Sequence, residues 1–287
     1  METTNYASTT TSAVRNRYAR ATTAVAAVLS LTLAGVSIHA ASAEIEKPAV
    51  LKTIEKEGIT IVGNVLPAPK GMTGWAGYQG TQPLAFYVAP DGQVIVGTVF
   101  NAKGEDMTRG PLQSAVSDAM SRGIWGQLEK SRWIADGKAT APRVVYVFTD
   151  ANCPYCNLFW NAARPWVDSG KVQLRHVMVG IITPTSQAKA AALLASADPA
   201  QALFQHEKDN TEARKAARPA GMKPLESGVK PLVDIPPAIK QSLNANLELM
   251  MNMGIRGTPG VVWRDEKGNV RVHPGVPQDL AEIFGPA

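Results

Sequence analysis

Apolar residues recur at four-residue spacing at Leu112, Val116, Met120, Ile124 and Leu128, with Ala115 and Ala119 alongside. That period keeps one face of an α-helix apolar, and Pro111 suits a first helical turn. Residues from about Asp106 to Gly137 therefore read as a helical connector. Gly123 and Gly126 weaken its middle and leave room for flexibility there. The chain before it mixes patterns. Val50, Leu51 and Ile54 mark a short helix within Pro48–Glu57, closed by Gly58. Ile59–Val62, Ala85–Val88 and Val94–Phe100 are rich in β-branched and aromatic residues and read as strands. Pro90-Asp91-Gly92 joins the last two as an antiparallel hairpin. This front unit contains no Cys and no His, which suits binding or dimerisation better than catalysis.

From about Ala139 the pattern becomes β-α-β. Val144–Phe148 is a strand, and the residues from Asn157 to Arg164 read as a helix. Val172–Gly180 is a second strand. Ser186–Ser196 and Pro199–His206 follow as Ala-rich helices, then a Pro-, Gly- and Lys-rich loop from Arg218 to Pro237, then a helix over Ile239–Met253. Gly260–Trp263 and Val270–Val272 flank Asp265–Gly268 as a hairpin, and Pro277–Phe284 closes the chain as a helix.

Between the first of these strands and its helix lie the only two cysteines, Cys153-Pro154-Tyr155-Cys156. Three chemistries use such a pair. A structural disulfide gains most by closing a long loop, and this one closes almost nothing. A zinc site needs two further ligands. No other cysteine exists, and His176, His206 and His273 are scattered singly, so they read as surface or core-edge residues and no metal is expected. Thiol–disulfide exchange needs a thiolate, and a strand-to-helix junction supplies one. At the helix start, free N–H groups and the helix dipole lower the pKa of Cys153. Cys156, at i+3, shares its helix face. Cys153 is then the exposed attacker and Cys156 the resolving thiol. Pro154 fits the first turn, and Tyr155 lies near the mouth.

The N-terminus carries Arg15, Arg17 and Arg20, an apolar run from Ala21 to about Ile38, and Ala41-Ser42-Ala43, the pattern of a cleaved export leader over residues 1–43. Loss of the leader lowers the formal net charge from +5 to +3. That balance, without a basic stripe interleaved with aromatics, gives no case for nucleic acid as a partner. The 45% hydrophobic and 18% charged composition is that of a folded globular chain.

Gly257-Thr258-Pro259 stands just before a strand. A proline can open a strand for structural reasons alone. Beside a C-x-x-C the sharper reading is a cis Thr258–Pro259 bond facing the cysteines, with the Thr258 backbone free to pair with an extended substrate.

Phe148–Trp160, Ala163–Arg175 and Gly257–Pro259 together resemble the active site, following segment and cis-proline loop of the DsbC/DsbG family of thioredoxin-like disulfide oxidoreductases of the bacterial periplasm. The resemblance covers nearly all of the chain after the leader. It implies a cystatin-like α+β dimerisation domain over 44–105, a helical linker over 106–137, and an α/β thioredoxin-like domain with a helical insertion over 138–287. It also implies a homodimer, kept reduced by the membrane reductant DsbD. Its substrates are exported proteins bearing disulfides or sulfenic acids, acted on as isomerase, reductase or chaperone without a cofactor. Cys153 and Cys156 take the catalytic positions, and Pro154, Tyr155, Thr258 and Pro259 the substrate-binding ones. Two other readings stay open: a DsbA-like dithiol oxidase, and a chaperone in which the cysteines are secondary. Ordinary thioredoxins often bury an acid six residues before the first cysteine. Val147 stands there, and Asp150 reads as loop, so Cys156 has no evident proton acceptor.

Overall fold

The computed structural model describes residues 46–216 and 222–286, so the expected leader lies outside the described residues. Among the described residues no helix is long and apolar enough to cross a membrane. Two sheets organise the chain. The first is antiparallel, with β1 (Thr60–Leu66), β2 (Thr73–Gln79), β3 (Gln82–Val88) and β4 (Val94–Val96) in sequence order. Its strands alternate as a two-faced sheet requires. Trp75, Phe86 and Val88 pack with Leu51 of α1 (Ala49–Ile54), while Ala76, Tyr78, Ala85 and Tyr87 pack on the opposite face against α2 (Arg109–Lys130).

The second sheet has the order β5-β7-β6-β8-β9, with β5 (Trp133–Asp136), β6 (Arg143–Asp150), β7 (Val172–Val179), β8 (Gly260–Arg264) and β9 (Val270–Pro274). β6 runs parallel to β7 and antiparallel to β8. Val145 and Val147 of β6 face α3 (Pro154–Asp168) and α7 (Ala281–Phe284), burying Phe159, Ala163, Val167, Ile283 and Phe284. Tyr146 and Phe148 face the other way, against Leu249, Met250 and Met253 at the end of α6 (Pro237–Asn252) and its C-cap. Between β7 and α6, α4 (Ser186–Ala195) and α5 (Pro199–Ala216) form a helical insert packed on Ala151, Met178 and Ile134.

The connector helix is itself part of both cores. Val116 packs in the first sheet's core, and Ile124, Trp125 and Leu128 in the second's. Gly123 does not loosen α2. It makes room for Tyr78, whose hydroxyl would lie 2.8 Å from a Cβ there and donates to the Ala119 carbonyl at 3.2 Å. A second tie joins the two sheets' surroundings: Thr81 Oγ1, in the β2–β3 turn, donates to Met253 O at 3.0 Å.

Several expectations shift. β2 carries little strand signal because Gly74 and Gly77 replace side chains where β1 comes close: a Cβ on either would meet a β1 carbonyl oxygen at 2.4 or 2.7 Å. Residues 133–136, grouped with the connector from sequence, form an edge strand of the second sheet. β4 ends at Val96 rather than Phe100, because the Thr108 hydroxyl takes the Val99 N–H at 2.9 Å and Phe100 pairs only with Asp106. α5 continues ten residues beyond the expected end, and α7 is a single turn.

Candidate active site

The site is built at the end of β6, where the central strand hands over to α3. The Cys153 N–H donates to Asp150 O at 3.0 Å, closing a tight turn. Cys153 is the N-cap of α3, with φ −82 and ψ 112, and Pro154 occupies the first turn. The Cys153 sulfur takes the place of a capping oxygen, accepting the Cys156 N–H at 3.1 Å. On its other side the Cys153 thiol donates to Thr258 O at 3.3 Å. The Thr258–Pro259 bond is cis. No hydrogen bond among the described residues uses the Thr258 N–H, and while the Cys153 thiol keeps its proton the Thr258 hydroxyl has no partner, which leaves it available to the Cys153 anion. Both cysteines are free thiols.

The two sulfurs have opposite acid–base character. Donation from the Cys156 thiol lowers the Cys153 pKa most, against the opposing effect of burial; the Thr258 side chain and the Cys156 N–H lower it further. Burial pushes Cys156 well above the ordinary thiol range, and a neighbouring Cys153 anion pushes it the same way. One ionisable and one protonated thiol are what sequential exchange needs.

Three expectations need correction. Cys153 is not exposed: it is 1% accessible, covered by the Thr258–Pro259 loop and the start of its own helix. Pro154 is buried because it packs as the first helical residue, so it offers a substrate little surface; Pro259 is buried as well. Tyr155 is 49% exposed and Thr258 half-buried, and these two remain at the surface beside Cys153. Asp150 is the last residue of β6 and buried, not loop. Its carboxylate accepts from the N–H groups of Asn152, Ile181 and Ile182 and from Ser186 Oγ, at 2.7 to 3.0 Å. Four donors commit it to fixing the turn and the neighbouring Ile181–Ile182 rim, whose side chains are 39% and 38% exposed.

Sequence reading also missed a buried polar layer behind the cysteines. His176 and His206 lie neither at the surface nor at the core edge: each is 1% exposed. Asn157, the residue after Cys156, donates to the Glu207 carboxylate at 2.7 Å. Burial raises the Glu207 pKa to about 7. Asp136 pairs with Arg164 and lies 3.5 Å from His176 Nε2. Burial works against its ionisation, but the nearby His176 ring and the hydrogen-bonded Arg164 guanidinium outweigh it and hold the pKa at about 2. His206 links α5 to Ala151 O at 2.8 Å. No local motif marks these residues; the i, i+3 and i, i+4 spacing of Asn157, Asn161 and Arg164 on one helix face was the available signal.

The chain has sequence relatives among known proteins. A family model described as a thioredoxin-like domain matches residues 134–283. The chain is 45% identical over 261 residues to the thiol:disulfide interchange protein DsbG of Pseudomonas aeruginosa PAO1, spanning 90% of this chain and 95% of that one. It is 38% identical over 237 residues to the protein of the same name from Escherichia coli K12, spanning 81% and 88%. Among solved structures, a periplasmic thioredoxin-like protein from Salmonella enterica serovar Typhimurium aligns at a TM-score of 0.42 and 21% identity, over 56% of this chain and 93% of that one.

Proposed function

The chain belongs to the DsbG family of thioredoxin-like thiol:disulfide interchange proteins, and from that premise we propose that Cys153 attacks oxidised thiols of exported proteins in the periplasm while Cys156 resolves the adduct. The observation that carries this is the Cys153 sulfur at the α3 N-cap, against the Cys156 N–H and the Thr258 carbonyl.

The ionised Cys153 sulfur attacks a client disulfide, forms a mixed disulfide and expels the other client sulfur as a thiolate. If that thiolate attacks another client disulfide, the client thiolate expelled there can attack the mixed disulfide and free the Cys153 thiolate, so the client's bonds are rearranged with no net electron change. If Cys156 attacks instead, the client leaves as a dithiol and Cys153–Cys156 becomes a disulfide. A client sulfenic acid enters the same way: Cys153 displaces hydroxide, which leaves as water, and Cys156 then releases the reduced client thiol. Two electrons from a dithiol donor, which the family resemblance names as DsbD, reset the pair. The unpaired Thr258 N–H suits an extended client backbone, and Tyr155 with the Ile181–Ile182 rim gives it an apolar border. In the homodimer reading, the first sheet supplies the contact; Ile95 and Val96 on its edge strand β4 are 54% and 56% exposed. Chaperone-like holding of clients is compatible with the same surfaces.

Direction of electron flow separates this reading from that of a dithiol oxidase. Trapping the protein's thiols by alkylation directly in cells is expected to find Cys153 and Cys156 mostly reduced. A mostly oxidised pair would favour the oxidase and overturn the proposal.

A further inference from the structure

His206 sits on α5 with both ring nitrogens in use. The Val229 N–H donates to Nδ1 at 3.0 Å, so Nδ1 is the acceptor. Nε2 lies 2.8 Å from the Ala151 carbonyl, which can only accept, so Nε2 carries the proton. The ring is therefore a neutral, single tautomer. Burial lowers its pKa to about 4, and the charged groups around it are Lys189 from α4, Asp150 from β6 and Asp209 from its own helix.

What the ring holds is the link into the active site. Ala151 and Asn152 are the two residues between β6 and Cys153. The Ala151 carbonyl is held by His206, and the Asn152 carbonyl by the Leu225 N–H at 2.8 Å. The segment 225–229 is fastened in turn: Lys189 Nζ donates to the Glu226 and Ser227 carbonyls at 3.1 Å each. Gly228, at φ +77, passes so close that a Cβ would lie 2.2 Å from His206 Nδ1. Glycine is needed there both for its backbone angle and for the ring beneath it.

We propose that His206 is a positioning residue for thiol–disulfide exchange, its Nε2–H fixing the Ala151 carbonyl and with it the turn that seats the Cys153 sulfur on the Cys156 N–H. This rests on Cys153 being the attacking thiol.

Two near-isosteres separate the ring's two bonds. In His206→Gln the side-chain amide nitrogen reaches the place of Nε2 and keeps the Ala151 donor. In His206→Asn the side-chain oxygen occupies the place of Nδ1, keeping the Val229 acceptor and losing the Ala151 donor. Each loses one buried hydrogen bond, so a purely structural role would lower Tm and shift chemistry alike in both. The readout is the Cys153 thiolate titration of the full chain, followed by ultraviolet absorbance and alkylation rate, with Cys153→Ala as baseline. In His206→Asn the titration is expected to rise by about one pH unit, a roughly tenfold smaller thiolate fraction below it; in His206→Gln it stays near wild type. A wild-type titration in His206→Asn, or equal shifts in both that follow Tm, overturns the proposal. If His206→Asn does not fold, His206→Gln still decides, because an upward shift there contradicts the assigned role of the Ala151 bond. The wild type is titrated first: without a depressed thiol that Cys153→Ala removes, the reading of Cys153 as attacker fails as well, independently of any His206 variant.

Discussion

Replacing Glu207 with Gln tests the buried layer behind the cysteines. Glu207 is 1% exposed, and its carboxylate faces the Asn157 side-chain amide at 2.7 Å. Burial, partly offset by that donation, moves its pKa from the ordinary 4.5 to about 7. In the unfolded chain the carboxyl ionises near 4.5, whereas in the folded protein it keeps its proton until about 7. The folded state thus binds more protons in this window, and stability must fall as pH rises through it. The total penalty is about 3 kcal/mol once both states are ionised. Gln has the same shape, and its amide oxygen can still accept from Asn157, but it carries no charge to bury. The unfolding free energy of Glu207→Gln minus that of wild type should therefore grow by about 3 kcal/mol between roughly pH 4.5 and pH 8. Urea denaturation of both proteins at matched pH and with the cysteine pair in one redox state measures this difference. Other titrating groups cancel in it. A difference that stays constant across the window, or shrinks as pH rises, refutes the reasoning.

Two further outcomes follow from named contacts. Asp136→Asn leaves Arg164 without its buried partner and should cost about 3–5 kcal/mol at neutral pH. Because the Asp136 pKa is depressed to about 2 from 3.8, the part of its contribution that depends on pH is present above 3.8 and lost as pH falls through 2, so the gap to wild type should narrow by about 2.5 kcal/mol in acid unfolding scans over that range. Thr258→Val keeps the shape of the cis-proline loop but removes a donor to the ionised Cys153 sulfur, so the Cys153 titration should rise and its alkylation at fixed pH slow; an unchanged titration would mean that the hydroxyl does not reach the thiolate.

The parts legible in the sequence were those set by local pattern. The strand before Cys153, the helix after it and the hairpin before the final helix each announce themselves through periodicity or turn residues. β2 did not, because its glycines serve a close approach of β1 that only the sheet reveals. The same holds for β5, whose four residues follow directly on a helix and find their partner in β7, some forty residues later. At the site, the cysteine pair and Thr258-Pro259 were readable because a short motif carries their chemistry. Glu207, His206 and Asp136 were not: each depends on long-range packing of α5 or β5 against α3 and the β6 turn. Cys153 looked exposed because a nucleophile must meet its substrate, but in the fold a loop about a hundred residues away covers it.

Trapping with Cys156→Ala tests the division of labour between the two cysteines most directly. Without the resolving thiol, adducts formed by the attacker should accumulate. When this variant is exposed to exported proteins carrying oxidised thiols, peptide mapping should find client cysteines joined to Cys153, and Cys153→Ala should capture none. Absence of adducts in Cys156→Ala, or equal capture by Cys153→Ala through Cys156, would contradict the account.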